Sequence, residues 1–271
     1  YMSKRPIVYY ITAHGYGHGV RSCDIIQAFC SLYPDIPVEI VSDLPLEFLK
    51  NRLGKATPEF RIGSFDVGMT QLDSIRVDVS ATLKAVESLY SKRQSMVDEE
   101  RILLRKKNVA VVVSDIPALP LEAAAGANIP CLAVGNFGWD WIYEEFAARD
   151  KAWRPYVEAI RAAYGKADLL LRLPFAEPMR AFLRQEDIPL VATPGRERRM
   201  ELADHMGVRM DKKWALLSFS SLVWNEAALA RVESLSRYEF FTVKPLAWRR
   251  HNIHPVDRQQ FSYSDVLASV D

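Results

Sequence analysis

The chain has 271 residues, of which 49% are hydrophobic and 25% are charged. This balance is that of an ordinary globular protein and excludes extensive disorder, a collagen-like repeat and a small disulfide scaffold. Lys and Arg number 35 against 34 Asp and Glu, for a net charge of +1, so we expect neither nucleic acid nor an anionic membrane surface as a partner. At about 150 residues per domain, the length predicts roughly two domains.

The cysteines and the apolar runs bear on the compartment. Cys23, Cys30 and Cys131 form no CxxC pair and leave one cysteine over, which favours reduced thiols and a cytoplasmic location. No apolar run approaches the roughly 18 residues of a transmembrane helix, so we expect no transmembrane segment. The sequence enters a strand-like run directly after residue 6, and we therefore expect no secretory signal.

Strands and helices alternate along the first part of the chain. A β-branched and aromatic run at 7–11 predicts a buried strand, followed by a Gly-rich loop at 12–19 and a helix at 20–32. Further strands are predicted at 38–41, 60–62, 109–113, 131–134, 168–172 and 188–192, and helices at 46–53, 79–107, 120–127, 142–149 and 153–163. The alternation predicts an α/β architecture with a parallel sheet. The long connection at 63–78 is of a length that is often functional.

A segment rich in Pro, Gly and Arg at 193–199 predicts a domain boundary, which separates residues 1–192 from residues 193–271. Beyond the boundary the alternation restarts. We expect helices at 197–206, 225–235 and 263–269, and strands at 214–219 and 238–243. These elements are fewer than a complete Rossmann-like domain needs, so the second domain is expected to be truncated in this chain.

Polar clusters follow three of the predicted strands, at 12–19, 114–117 and 135–141. Because ligands of open parallel sheets bind beyond the carboxyl ends of the strands, these clusters predict one shared cleft. Gly15, Gly17 and Gly19 would let backbone amides approach an anion, and the following helix would add its positive N-terminal end.

The sequence lacks the motifs of several common cofactor, nucleotide, nucleophile and metal sites. The dinucleotide motif GxGxxG requires glycine at position 20, which is Val20, and this argues against a nicotinamide enzyme. The Walker motif and the GxSxG nucleophile elbow are absent from the sequence. His14 and His18 are separated by glycines and have no evident third ligand, so we expect no metal site.

Five polar residues at the strand ends are candidates for chemistry, each with a structural alternative. His18, or His14, is placed to act as a general base on a hydroxyl group; the alternative is a structural hydrogen bond. Asp115 is placed to orient a histidine or a substrate hydroxyl; the alternative is an Asx turn or a helix cap. Asn136 and Asp140 carry the same pair of interpretations.

Four longer segments carry a resemblance to known proteins. They are VYYITAHGYGHGVRS (8–22), VVSDIPALPLEAA (112–124), NFGWDWIYEEF (136–146) and LLLRLPFAEPMRAF (169–182). The first segment resembles the N-terminal Gly-rich loop of GT-B glycosyltransferases, including the GlcNAc transferase that completes the lipid-linked precursor of peptidoglycan. Together the four segments resemble more closely the glycosyltransferase-like N-terminal half of plant L-arabinokinases and its bacterial stand-alone relatives. The likeness continues more weakly through LLSFSSLVWN (216–225) and FSYSDVLASVD (261–271).

The resemblance implies an α/β fold with two Rossmann-like domains of GT-B type, the second incomplete here. Residues 1–192 would form the acceptor-side domain and residues 193–271 the start of the nucleotide-sugar-binding domain. His18 falls on the histidine of the family's Gly-rich loop and would deprotonate the acceptor hydroxyl, with Asp115 as its partner. The expected substrate-binding residues are His14, Gly15, Gly17, Gly19, Asn136, Asp140, Ser220 and Ser221, the two serines matching a loop that approaches the nucleotide phosphates.

The implied activity is transfer of a sugar from a nucleotide-sugar to an acceptor hydroxyl, with inversion and without a metal or other cofactor. The acceptor would be a small molecule, a glycan or a lipid-linked molecule. The sugar-kinase half of arabinokinases has no counterpart in this sequence, so arabinokinase activity is not implied. Two alternatives stay open: a catalytically silent glycosyltransferase-like module that binds a sugar or nucleotide or has a regulatory role, and a sugar-nucleotide epimerase with acidic residues in the same cleft.

Overall fold

The computed structural model describes residues 4–219, 224–242, 250–257 and 259–271. The chain divides into two compact units. The first contains the chain up to Thr70 together with Asp78–Ala192, and the second contains Gln71–Val77 together with Thr193–Asp271. Within the described ranges, no helix has both the length and the apolar character needed to cross a bilayer.

The first unit is built on a seven-stranded parallel sheet. Its strands are β1 (Ile7–Ile11), β2 (Val38–Ser42), β3 (Glu59–Ile62), β4 (Val111–Asp115), β5 (Cys131–Gly135), β6 (Leu169–Arg172) and β7 (Gln185–Asp187). They lie in the order β3-β2-β1-β4-β5-β6-β7. The order reverses between β1 and β4, and in open α/β sheets ligands bind at such a switch point, beyond the carboxyl ends of the strands. The predicted parallel α/β architecture is confirmed.

Helices cover both faces of this sheet. They are α1 (Tyr16–Leu32), α2 (Leu46–Leu53), α3 (Val79–Ser91), α4 (Arg93–Lys106), α5 (Leu119–Ala127), α6 (Trp139–Ala147) and α7 (Arg154–Tyr164), with a 3-10 turn at Lys151–Trp153. Side chains alternate along β1: Val8 and Tyr10 belong to one hydrophobic cluster, and Tyr9 and Ile11 to another. A strand that is apolar on both sides is what a sheet covered on both faces requires.

Three elements depart most from the prediction. Helix α1 begins at Tyr16, so Gly17 and His18 lie in its first turn, because Gly15 takes the positive φ of 76° that ends the loop. The single helix predicted at 79–107 is two helices that meet at Lys92. Strand β7 lies before the apolar run at 188–192, because it is an exposed edge strand and polar residues are tolerated there.

The second unit holds a three-stranded parallel sheet in the order β10-β9-β8. The strands are β8 (Lys213–Leu217), β9 (Tyr238–Thr242) and β10 (Ile253–Pro255), and the helices are α8 (Arg199–Met206), α9 (Glu226–Glu233) and α10 (Tyr263–Ser269). Its core includes Leu202, Trp214, Phe241 and Val266. Strand β10 lies where no strand was predicted, because three residues are too few to show an alternation of apolar and polar side chains.

Candidate active site

The sheet topology brings His18 and Asp115 together at the switch point. Asp115 is the last residue of β4, and it pairs in register with Ile11 at the end of β1. The loop after β1 leads directly into α1, whose first turn carries His18. Nδ1 of His18 lies 2.7 Å from Oδ1 of Asp115, and both side chains are buried.

The Asp115 carboxylate accepts hydrogen bonds from three side chains. Besides His18, Arg21 donates through Nε at 2.8 Å and through Nη2 at 2.6 Å, and Ser22 Oγ donates at 2.8 Å. A carboxylate offers about four lone-pair sites, so these four contacts use its capacity. Asp115 is therefore placed to orient His18, and the substrate hydroxyl considered from the sequence has no free site on this carboxylate.

Electrostatics hold Asp115 in its ionised form. Burial alone would raise the pKa of Asp115, but the hydrogen bonds from Arg21 and His18 and the positive charges of Arg21 and protonated His18 outweigh it and lower the pKa to about 2. Burial likewise lowers the pKa of Arg21, and the bonds to Asp115 outweigh that effect and raise it. The pair is charged throughout the neutral range, and the bidentate geometry fixes both partners.

The protonation of the His18 ring follows from its partner. A carboxylate only accepts, so Nδ1 carries the proton, and in the neutral ring the lone pair is then on Nε2. Arg21 Nη2 lies 2.9 Å from the same Nδ1, and since both are then donors this contact adds no hydrogen bond. No hydrogen bond joins Nε2 to another side chain or to the backbone in the described part of the chain. This nitrogen is free to accept a proton from a bound hydroxyl.

Arg21 was not singled out from the sequence, although it lies inside the segment HGYGHGVRS. It follows His18 by three residues on α1, which places both side chains on one helix face. Its third nitrogen, Nη1, donates to Asn136 Oδ1 at 3.0 Å. Arg21 thus links the end of β4 to the segment after β5, and Asn136 contacts this cluster through Arg21.

The connection after β3 packs against the same loop. Asp66 accepts from Thr12 Oγ1 at 2.9 Å and from Trp139 Nε1 at 2.7 Å. Met69 donates its backbone N–H to Nδ1 of His14 at 3.2 Å, and the His14 ring meets Trp139 edge-on at 5.1 Å. Asp66 was noted in the sequence only as part of a long connection. Its role depends on contacts with residues more than 50 positions away, which no local pattern shows.

The three loop glycines have different surroundings. A side-chain carbon at Gly15 or Gly17 would meet nothing within 4 Å, so the backbone there is open to a ligand. At Gly19 such an atom would lie 2.7 Å from side-chain carbons of Leu44 and Phe48. Gly19 is therefore a residue that lets α1 pack closely against the segment that contains α2.

The remaining predicted site residues are placed as follows. Asp140 lies buried in the first turn of α6, where burial raises its pKa and Arg161 Nε donates to it at 3.3 Å. Ser220 and Ser221 lie outside the described residues. Among the residues that the structure does describe, no group of three or more His, Cys, Asp or Glu is arranged to hold a metal ion.

No protein-family model matches the chain. Over 213 residues the chain is 32% identical to L-arabinokinase from Arabidopsis thaliana, a match that covers 78% of this chain and 20% of that protein. The resemblance to arabinokinases inferred from the four segments is confirmed, and the chain spans about a fifth of the length of this curated relative.

Solved structures decide the fold. The calicheamicin glycosyltransferase superposes on 98% of this chain and 73% of its own, with a TM-score of 0.56 and 12% sequence identity. The chain has the GT-B fold. A UDP-glucose:anthocyanidin 3-O-glucosyltransferase in complex with UDP matches 94% of this chain and 72% of its own, with a TM-score of 0.55 and 10% identity.

The same GT-B fold also occurs in a second class of enzyme. A putative UDP-N-acetylglucosamine 2-epimerase from Listeria monocytogenes matches 94% of this chain and 69% of its own, with a TM-score of 0.52 and 12% identity. Fold alone therefore does not choose between transfer and epimerisation, and the choice rests on the residues of the site.

Proposed function

We propose that the chain carries the acceptor-activating site of a nucleotide-sugar-dependent glycosyltransferase. One observation carries the proposal: a buried, saturated carboxylate fixes the His18 ring through Nδ1, and Nε2 is left with its lone pair available. A neutral imidazole held in this way is a general base for a hydroxyl group. The fold shared with a calicheamicin glycosyltransferase and with a UDP-bound glucosyltransferase is compatible with this reaction class, and the base at His18 favours transfer.

In the proposed step, the acceptor hydroxyl donates its hydrogen bond to Nε2 of His18. As the oxygen attacks the anomeric carbon of the donor sugar, its proton passes to Nε2, and the bond from that carbon to the nucleoside diphosphate breaks. Asp115 then faces an imidazolium across 2.7 Å and stabilises it. Because Arg21 keeps Asp115 ionised, the proton stays on the imidazole.

Direct attack by the activated oxygen on the face opposite the leaving group inverts the anomeric configuration, so we propose an inverting enzyme. Metal independence belongs to the proposal as well, since backbone N–H groups and a helix N-terminus are able to stabilise a departing diphosphate. Ser220 and Ser221 remain the predicted contacts for those phosphates. The acceptor we propose is a small molecule with a free hydroxyl group.

The test measures transfer of labelled sugar from UDP-, GDP- and TDP-sugars to a panel of hydroxyl acceptors. The turnover of wild-type protein is compared with that of His18→Gln. Loss of the base predicts turnover lower by about 10²- to 10⁴-fold. Asp98→Asn, at a half-buried position of α4 where Asp98 pairs with Arg101, is the matched control and should keep wild-type turnover.

Two results would overturn this assignment. Full transfer by His18→Gln would remove His18 as the base. Calorimetry that detects no binding of any of the three classes of nucleotide-sugar would remove the reaction class. Saturable binding without product under every donor would identify the silent binding module instead.

A further inference from the structure

The two histidines of the Gly-rich loop are held in opposite tautomers. At His18, a carboxylate accepts from Nδ1, so the lone pair is on Nε2. At His14, the backbone N–H of Met69 donates to Nδ1 at 3.2 Å. A backbone N–H only donates, so Nδ1 of His14 carries the lone pair and Nε2 carries the hydrogen. One ring therefore presents an acceptor and the other a donor.

The position of His14 is fixed by the connection after β3. Gly68 has a positive φ of 67°, and a side-chain carbon there would lie 2.6 Å from Cβ, Cγ and Nδ1 of His14. Tyr143 donates its hydroxyl to the Gly68 carbonyl at 2.6 Å and holds this segment in place. Gly68 thus allows a close approach that no other residue type would permit, and it delivers the Met69 N–H to the ring.

His14 is also kept neutral. Burial lowers the pKa of His14, and the nearby His18 lowers it further. A protonated ring would carry a hydrogen on Nδ1 and would oppose the Met69 N–H. Both effects favour the tautomer with the hydrogen on Nε2, whose nitrogen makes no hydrogen bond within the part of the chain that is described.

The two rings pack against the same pair of aromatic side chains. His14 meets Trp139 at 5.1 Å, His18 meets Phe137 at 5.5 Å, and the rings of Phe137 and Trp139 lie 5.3 Å apart, all edge-on. The two histidine rings therefore pack on one aromatic pair, in which Trp139 is buried and Phe137 is half-buried.

We infer that His14 Nε2–H binds an oxygen next to the hydroxyl that His18 deprotonates, so that the site selects acceptors with two neighbouring oxygens, such as a sugar ring or another polyol. The inference rests on the proposed function of His18. One hydroxyl of a vicinal diol would donate to His18, and the other oxygen would accept from His14. A phosphate group fits less well, because the His18 lone pair would oppose its oxygens.

The tautomers are tested first, by long-range ¹H–¹⁵N correlation spectra of the ¹⁵N-histidine-labelled chain. We expect His14 to show an unprotonated Nδ1 and His18 an unprotonated Nε2. His251, exposed and paired with Glu233 in the second unit, provides an internal reference. A protonated Nδ1 at His14 would overturn the inference whether or not the protein transfers sugar.

The second experiment uses methyl pyranosides and their single-deoxy analogues as probes, with binding followed through the histidine shifts. Removing the hydroxyl next to the bound one should weaken wild-type binding by about tenfold to a hundredfold, the cost of an unpaired polar group. His14→Phe, which keeps a ring but has no donor, should bind the pyranoside and its deoxy analogue equally. His14→Gln, with an amide N–H near the position of Nε2, should restore much of the preference.

The outcomes separate this inference from the proposed function. Failure of every pyranoside to shift either histidine, or an unchanged preference in His14→Phe, overturns the inference even if transfer is found. Preference that is lost in His14→Phe and restored in His14→Gln supports it. The same result without consumption of any nucleotide-sugar would leave the diol site standing and remove the transferase.

Discussion

The first unit contains two clusters in which buried carboxylates are ion-paired and hydrogen-bonded, and we compare their roles. The Asp115 cluster consists of His18, Arg21, Ser22 and Asp115. The Glu100 cluster consists of Tyr10, Glu39, Arg61, Glu100 and Lys107. In the Glu100 cluster, Arg61 donates to Glu39 at 2.8 Å and to Glu100 at 3.0 Å, Lys107 donates to Glu39 at 2.5 Å, and the Tyr10 hydroxyl donates to Glu100.

The two clusters differ in whether a proton-accepting atom is left without a hydrogen bond. The Glu100 cluster pairs two carboxylates with two cations and a tyrosine, and burial, with the nearby Glu100, raises the pKa of Tyr10 well above its ordinary value. The Asp115 cluster includes an imidazole, a group suited to proton transfer near neutral pH, and one of its nitrogens is free. It also lies at the carboxyl end of β4, where α/β folds bind ligands. We interpret the Asp115 cluster as catalytic and the Glu100 cluster as structural.

The largest expected effect is that of Asp115→Asn on transfer. An amide no longer requires a hydrogen on Nδ1 of His18, and the imidazolium loses its counter-charge. Turnover should fall by about 10³- to 10⁴-fold, as measured at saturating donor and acceptor. The histidine spectra described above should show a mixed tautomer at His18. Wild-type turnover in a folded Asp115→Asn protein would contradict the catalytic interpretation.

The next effect is on stability, in the Glu100 cluster. Arg61→Met removes the cation that bridges two buried carboxylates, and breaking such a buried pair costs about 3 kcal/mol of unfolding free energy. Denaturant unfolding measures the loss. Arg149→Met, which removes an exposed pair with Glu145, is the control and should cost no more than about 0.5 kcal/mol. If Arg61→Met lowered transfer in the folded protein, the separation of the two clusters would be wrong.

Lowering the pH should reduce the free energy of unfolding through protonation of Asp115. The pKa of Asp115 is about 2 in the folded chain against an ordinary value of 3.8, so its stabilising contribution is complete above pH 4 to 5 and is lost as the pH falls towards 2. The contribution is on the order of 2 kcal/mol. Unfolding free energies between about pH 5 and pH 2.5 should therefore fall less steeply in Asp115→Asn than in wild type. Parallel curves would contradict the assigned shift.

The smallest effect tests the tyrosine of the Glu100 cluster. Tyr10→Phe removes one hydrogen bond to Glu100, which keeps its contacts with Arg61, so the unfolding free energy should fall by about 1 kcal/mol. Tyr238→Phe, at an exposed position of β9, should change nothing measurable. Transfer should be the same in both variants. A Tyr10→Phe protein with a large loss of turnover would place this cluster in the catalytic machinery.

Much of the sheet could be predicted from the sequence, because strands such as IVYYI and VAVVV are apolar on both sides. The start of α1 could not, because glycine disfavours helix interiors and only the packing of Gly19 against Leu44 and Phe48 shows why one is tolerated there. The edge strand β7 escaped prediction because its three residues are polar and exposed.

The candidate site divides in the same way. His18 and Asp115 could be named from their segments and from the family resemblance. Arg21 and Asp66 could not be assigned roles, because each acts on partners distant in the chain: Arg21 on Asp115, and Asp66 on Thr12 and Trp139. Such ion pairs and hydrogen bonds depend on the sheet order, which no local pattern contains.

The polar character of β7 has a consequence for how copies of this protein meet one another. Gln185–Asp187 forms the outermost strand of its sheet, and all three residues are exposed. An open strand edge offers unpaired backbone groups to any neighbouring chain and is a common route to aggregation. All three side chains are polar, with Glu186 acidic and Asp187 ion-paired to Arg172, so this edge offers no apolar surface to a second copy. The same polarity that concealed this strand in the sequence protects the sheet against growth by addition of further strands.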